Sequence, residues 1–144
     1  MFVQDITTGG AFPMLEKSLA FTEARQRMLA GNIANITTPG FRTKQLDVAL
    51  FQRALREASD RRASGGGAFK LERTNQFDVD AAGMLRVTPG ESPVENLLFQ
   101  DGTNASIERQ MVQLAENAMM SQVAAELLKG YFDGMAKAIR GHVA

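Results

Sequence analysis

Few residues in this chain of 144 have types and spacings that could do chemistry. Asp78-Val79-Asp80-Ala81-Ala82-Gly83 begins like a calcium loop. Such a loop needs a ligand at its fifth position and a bidentate glutamate at its twelfth; Ala82 and Pro89 stand there instead, so no calcium site is expected. His142 is the single histidine and has no nucleophile or ligand cluster near it in sequence, which leaves acid-base and metal chemistry unsupported. Cysteine is absent, excluding disulfides and thiolate metal sites. The Gly65-Gly66-Gly67 run lacks the lysine and helix pattern that follow a phosphate-binding loop. Asn35-Ile36-Thr37 and Asn104-Ala105-Ser106 fit the glycosylation sequon, but both read better as helix boundaries. No pair of titratable residues has a spacing that dictates a site. No catalytic, cofactor or metal residue is assigned, and an enzyme is not expected.

The chemistry this sequence does encode is helix packing. Ile107, Met111, Leu114, Ala118, Ser121, Ala125, Leu128, Phe132, Met135 and Ile139 repeat at alternating steps of three and four, as in a coiled-coil seam. Phe12, Leu15, Leu19, Thr22, Gln26, Leu29, Ile33 and Ile36 repeat the spacing near the other end, broken in character only by Thr22 and Gln26. The fold expected is mainly α, with long N- and C-terminal helices pairing as a coiled coil. A shorter helix and an irregular or weakly β segment lie between them.

The first helix is predicted to start at Phe12 or Pro13, because proline suits a first turn, and to run to about Asn35. Thr38-Pro39-Gly40 stops it, with Pro39 and Gly40 as the centre of a type II turn and Gly40 at positive φ. A second helix is predicted from about Leu46 to Arg62, ended by the linker Ser64 to Gly67. Alternation from Ala68 to Gly102 is weak: Phe77–Asp80 and Met84–Val87 can form short strands around Ala82-Gly83, Thr88-Pro89-Gly90 reads as a further turn, and most of the stretch is expected to be loop. Thr103 or Asn104 can cap the C-terminal helix, whose end is favoured by Lys137 and Arg140 and stopped by Gly141. Residues 1–41 thus form an N-terminal helix and turn, 42–102 a middle segment, and 103–144 a C-terminal helix, together one assembly domain.

Both helices carry more apolar surface than one seam can hide. Val112, Met119, Met120, Val123, Leu127 and Tyr131 make the C-terminal helix apolar around nearly its whole circumference from Ala118 to Leu128. Phe21, Ala24 and Met28 form a second stripe on the first helix. Neighbouring subunits are expected to cover these faces; the alternative is that the middle segment folds back over them. Gly130 and Gly134 lie one turn apart away from the seam. They either admit a close lateral neighbour or mark a fraying end.

Sixteen basic and sixteen acidic side chains cancel. No general attraction to nucleic acid or anionic lipid follows, and no direct lipid binding is expected. The charge is uneven, with a basic excess from Arg42 to Arg73 and an acidic excess from Thr74 to Asp101, so the two stretches are placed to attract each other or to stand as solvated loops. Met1 to Asp5 lacks the basic and apolar regions of a secretory signal, and no stretch approaches the ~18 apolar residues of a membrane span.

Ala34-Asn35-Ile36-Thr37-Thr38-Pro39-Gly40-Phe41 resembles the ANxxTPGF/Y motif that ends the N-terminal helix of bacterial flagellar rod and hook proteins. Glu108-Arg109-Gln110-Met111-Val112-Gln113-Leu114-Ala115-Glu116-Asn117-Ala118 and the closing Ala138-Ile139-Arg140-Gly141 are similar to the C-terminal helix of the FlgB type of proximal rod protein. The short length fits that type better than distal rod or hook proteins, which insert whole domains. The sister FlgC type stays open, although its aromatic-rich segment is replaced here by Ala118-Met119-Met120-Ser121-Gln122.

The resemblance implies a structural subunit of the periplasmic axial rod in the flagellar basal body, exported unfolded through the flagellar type III apparatus without a cleaved signal. It implies terminal helices that pair and stack around the export channel and transmit torque. The partners implied are other copies, other rod proteins, the adaptor FliE, the export gate and the membrane ring. A helical binding module or export chaperone holding a single partner is the reading from another class. Ordered tubes or oligomers would favour the rod; a stable one-to-one complex would favour the module.

Overall fold

The computed structural model describes residues 10–65, 67–92 and 102–141. Gly66, His142 and the side chains of Thr103 and Asn104 lie outside the described part. The elements in order are α1 (Phe12–Asn35), β1 (Lys44–Gln45), α2 (Val48–Ala63), β2 (Phe77–Val79), β3 (Leu85–Val87), β4 (Gly90–Glu91) and α3 (Gly102–Ile139). The mainly helical class, the two long terminal helices and the shorter middle helix agree with the sequence expectation.

Helix α1 starts where Pro13 can occupy the first turn without losing a hydrogen bond. It ends in successive turns: Thr38 N–H donates to the Asn35 carbonyl (2.8 Å) and Phe41 N–H to the Thr38 carbonyl (3.1 Å). Gly40 sits between at φ +76°, a conformation that disfavours any residue with a Cβ. Helix α2 opens at Asp47, whose carboxylate accepts from Leu50 N–H (2.9 Å), two residues later than the apolar spacing predicts. Leu46 before the cap and Phe51 in the first turns share the same core, a hydrophobic staple that fixes the angle of entry.

Strands β2 and β3 form an antiparallel hairpin with Phe77 opposite Val87, Asp78 opposite Arg86 and Val79 opposite Leu85. Strands β1 and β4 pair Lys44 with Glu91 and Gln45 with Gly90. The ion pairs Arg42–Glu91 (3.1 Å) and Arg73–Asp78 (3.6 Å) join the basic stretch to the acidic one across these connections. Both pairs are exposed, so each adds at most ~1 kcal/mol.

Helix α1 lies between two partners. On one side is α3; on the other are α2 and the β2–β3 hairpin, with a core of Phe21, Met28, Leu29, Leu46, Phe51, Ala54, Leu55, Ala58, Leu71 and Phe77. Phe21 stacks on Phe51 with ring centroids 3.9 Å apart, and Phe51 meets Phe77 edge-on at 5.4 Å. The expectation that Phe21 and Met28 face a neighbouring subunit is therefore corrected: both are buried within the chain. The cause is the stripe Phe51, Ala54, Leu55 and Ala58 on α2, which needs an apolar surface and finds it on α1.

Candidate assembly surface

Helices α1 and α3 run antiparallel, since Phe12 at the start of one meets Tyr131 (centroids 5.8 Å) and Asn32 near its end meets Gln110. The less exposed stripe of α3 is Ile107, Gln110, Leu114, Asn117, Ser121, Ala124, Leu128, Tyr131 and Met135. One half of the expected seam is thereby inside: Ile107, Leu114, Ser121, Leu128 and Met135. The alternate half is displaced by one residue. Gln110, Asn117, Ala124 and Tyr131 stand on the inner stripe, while Met111, Ala118 and Ala125 are exposed; Phe132, though 45% exposed, meets Phe12 of α1 edge-on at 5.5 Å as the seam requires. Tyr131, expected to face a neighbour, instead packs on Phe12 and beside Gly10. Ile139 is 72% exposed because α3 extends past the start of α1.

On α1, Leu29 is buried and Leu15, Leu19 and Ile33 are half-buried. Two buried asparagines, one on each helix, lie in the displaced layers. Asn117 is fully buried, and its Nδ2 donates to the Thr22 carbonyl (2.8 Å) and Gln26 Oε1 (3.0 Å). Asn32, also buried, donates from Nδ2 to the Lys44 carbonyl (2.7 Å) and Gln110 Oε1 (3.0 Å), while its Oδ1 accepts from Lys44 N–H (2.9 Å). The spacing argument, which scored apolar residues, missed Asn32, Gln110 and Asn117. The signal was the seven-residue step from Gln110 to Asn117, repeated by Ala124 and Tyr131.

The motif 34–41 ends α1 as a projecting knuckle. Ala34, Thr37, Thr38, Pro39 and Gly40 are exposed, whereas Asn35, Ile36 and Phe41 are half-buried. Asn35 Nδ2 donates back to the Gly31 carbonyl (2.9 Å), closing the last turn. Immediately beyond, Asn32 grips Lys44.

The outer face of α3 is apolar and uncovered. Val112, Met119, Val123 and Leu127 are each more than half exposed, and Met120 is 41% exposed. Gly130 and Gly134 continue this side, and a Cβ added at either would meet nothing within 4 Å. A contiguous patch of this kind on a helix is the usual mark of an interaction surface.

The charged residues serve the fold. Lys17, buried on α1, donates to the Gly83 carbonyl at the hairpin tip and pairs with Glu16. Burial lowers the pKa of the Arg25 guanidinium, and Glu116 on α3 opposes that shift. Asp80 Oδ1 accepts from Met84 N–H and Ala82 N–H (3.0 Å each), and Oδ2 accepts from Arg86 Nε (3.2 Å). The Met84 amide is the main reason its pKa falls below the ordinary carboxylate value. The acid that opens the calcium-like sequence therefore closes a hairpin turn. Among the described residues no group of carboxylates and histidines is arranged to hold a metal ion, and no helix is long and apolar enough to cross a membrane.

No protein-family model matches the chain. It is 27% identical over 133 residues to the flagellar basal body rod protein FlgB of Bacillus subtilis, covering 92% of this chain and 95% of that protein. The FlgB of Salmonella typhimurium is 26% identical over 133 residues, covering 88% and 90%. Over about nine-tenths of its length the chain is similar to FlgB-type rod proteins. The FlgB of Escherichia coli extends the likeness at 26% identity over 132 residues, 87% of this chain and 89% of that one. These alignments span the middle segment as well as both helices, so the FlgB likeness reaches well beyond the motif at 34–41 and the start of α3.

Proposed function

We infer that this chain is a structural subunit of the flagellar basal-body rod, of the proximal FlgB type. The observation that carries the reading is end-to-end similarity to FlgB proteins in a chain whose longest helix leaves an entire apolar face uncovered. The paired α1 and α3 form the axial body of the subunit. The outer face Val112, Met119, Met120, Val123 and Leu127 packs on neighbouring rod subunits, and the 34–41 knuckle contacts the next level of the assembly. Burying five such side chains by association supplies a driving force of roughly 1.5–3 kcal/mol each before the entropy of association is subtracted. Its role is mechanical rather than catalytic.

By family resemblance the neighbours are further rod proteins, the adaptor FliE, the export gate and the membrane ring. The chain reaches the periplasm through the flagellar type III apparatus. The test is to express a tagged copy in flagellated cells lacking their own FlgB, purify basal bodies and cross-link them through cysteines placed at Met119 or Thr38. Recovery in the basal body with cross-links to rod components is the expected result. Recovery only as a soluble one-to-one complex would replace this reading with that of a helical binding module or chaperone.

A further inference from the structure

The face that α3 turns towards α1 is not its most apolar one. Between Gln110 and Ala124 the inner stripe holds a single large apolar side chain, Leu114, beside Gln110, Asn117, Ser121 and Ala124. The opposite side over the same span offers Val112, Met119 and Val123, with Leu127 one turn further, and leaves them to solvent. Apolar burial alone would turn α3 about its axis by roughly 0.4 of a turn, given 3.6 residues per turn, and put the methionine-rich side inward. We propose that the Asn117–Gln26–Thr22 contact, backed by Asn32–Gln110, selects which face of α3 packs on α1 and in which register, and thereby reserves the apolar face for other subunits.

The selection works by penalty. Gln26 and Asn32 project from α1 into the packed region, and their amides must find partners there. With α3 turned, Gln26 would face Met119, Met120 and the Glu116 carboxylate, and its Oε1 would lose the donor that Asn117 supplies. With α3 slipped by one heptad, Gln26 would face either Ala124 or Gln110, and Asn32 would keep its Lys44 bonds but exchange Gln110 for a different residue. The observed register alone gives Gln26 and Asn32 each a carboxamide partner. The arrangement is not optimised for stability, because Asn117 Oδ1 is buried with no hydrogen-bond partner. A carboxamide held inside a helix pair at such a cost matches the way single buried asparagines specify coiled-coil geometry. The selection of face and register concerns the α1–α3 pair alone and is tested there; only the occupancy of the reserved face by other subunits rests on the rod reading.

The chain has no native cysteine, so single reporters are clean. Cysteine at Met119 (69% exposed) or at Ala124 (6% exposed) is labelled with a maleimide in the full chain at low concentration, and the rates should differ by roughly tenfold in line with those exposures. In a Gln26→Leu/Asn117→Leu background the ratio should fall towards one, while circular dichroism shows helix retained and a melting temperature no lower than the parent. Ser121→Leu adds apolar surface to the same stripe without removing a carboxamide, and Gln26→Asn/Asn117→Gln exchanges the two amides; both should keep the tenfold difference. An unchanged ratio in the double-leucine background would overturn the proposal, as would failure of that variant to fold. Collapse of the ratio in Ser121→Leu or in the amide exchange would overturn it equally, since generic repacking would then be responsible.

Discussion

Leu127 and Leu128 are neighbours in sequence and about 100° apart around α3, so the same substitution at each position separates folding from assembly. Leu128 is half-buried on the stripe against α1; Leu127 is 56% exposed on the outer face. Leu128→Asp forfeits part of the ~1.5–3 kcal/mol that a buried leucine contributes and forces a carboxylate to be desolvated or the helices to part. Together these cost ~3 kcal/mol or more, a large fraction of the 5–15 kcal/mol typical of a domain. For a chain of this size that corresponds to a fall in melting temperature of roughly 10 °C. Leu127→Asp changes a side chain that is more than half exposed and should shift stability by no more than about 0.5 kcal/mol, hence by ~2 °C at most. Thermal melts of the purified variants read the first difference. Swimming of cells in which each variant replaces the native FlgB reads the second. Leu128→Asp should fail in both assays. Leu127→Asp should melt normally and still not swim. Normal swimming by Leu127→Asp at normal protein level would refute the outer face as an assembly surface, and equal melting temperatures would refute the assignment of inner and outer.

Gly40→Val should destabilise by ~1–2 kcal/mol through backbone strain alone, because φ is +76° and the space beside it is open; Gly31→Ala, within α1 and equally open, should stabilise by up to ~1 kcal/mol, and urea titration of both checks the contrast. Phe51→Ala removes the ring that both Phe21 and Phe77 contact and should cost ~3–5 kcal/mol, with the loss of protection in hydrogen exchange centred on α2 and the hairpin. Asp80 has a folded pKa below its unfolded one, so its contribution to stability is fully present above the ordinary carboxylate value and is lost as the pH falls through the lowered one. Asp80→Asn should flatten that acid limb in melts across the pH range, and an unchanged limb would refute the role given to this turn.

The bounds of α1 and the positive φ of Gly40 were legible because proline and glycine act locally: one removes a donor, the other admits a conformation that side chains resist. The hairpin was only half legible, because alternation from Ala68 to Gly102 is weak and favours loop as much as strand. Along α3 the step of seven was right and the step within it was not. A period near 3.5 fixes every second contact but leaves the intervening one free to fall three or four residues on, and counting apolar residues preferred Met111 and Ala118 to Gln110 and Asn117. What favoured the polar pair was the chemistry of Thr22, Gln26 and Asn32, ninety or so residues away in sequence for the first two. The stack of Phe21 on Phe51 was hidden for the same reason: neither stripe says which other stripe it will meet.

Asn32 holds both the amide and the carbonyl of Lys44 and, with the same side chain, Gln110 on α3. A pull on the chain beyond the 34–41 knuckle loads the two Lys44 bonds directly and reaches α3 through the third. The knuckle behaves as the head of a rivet. One asparagine thus ties the exit of the loop to both long helices at once, and the β1–β4 pairing and the Arg42–Glu91 ion pair anchor the same stretch from its other side.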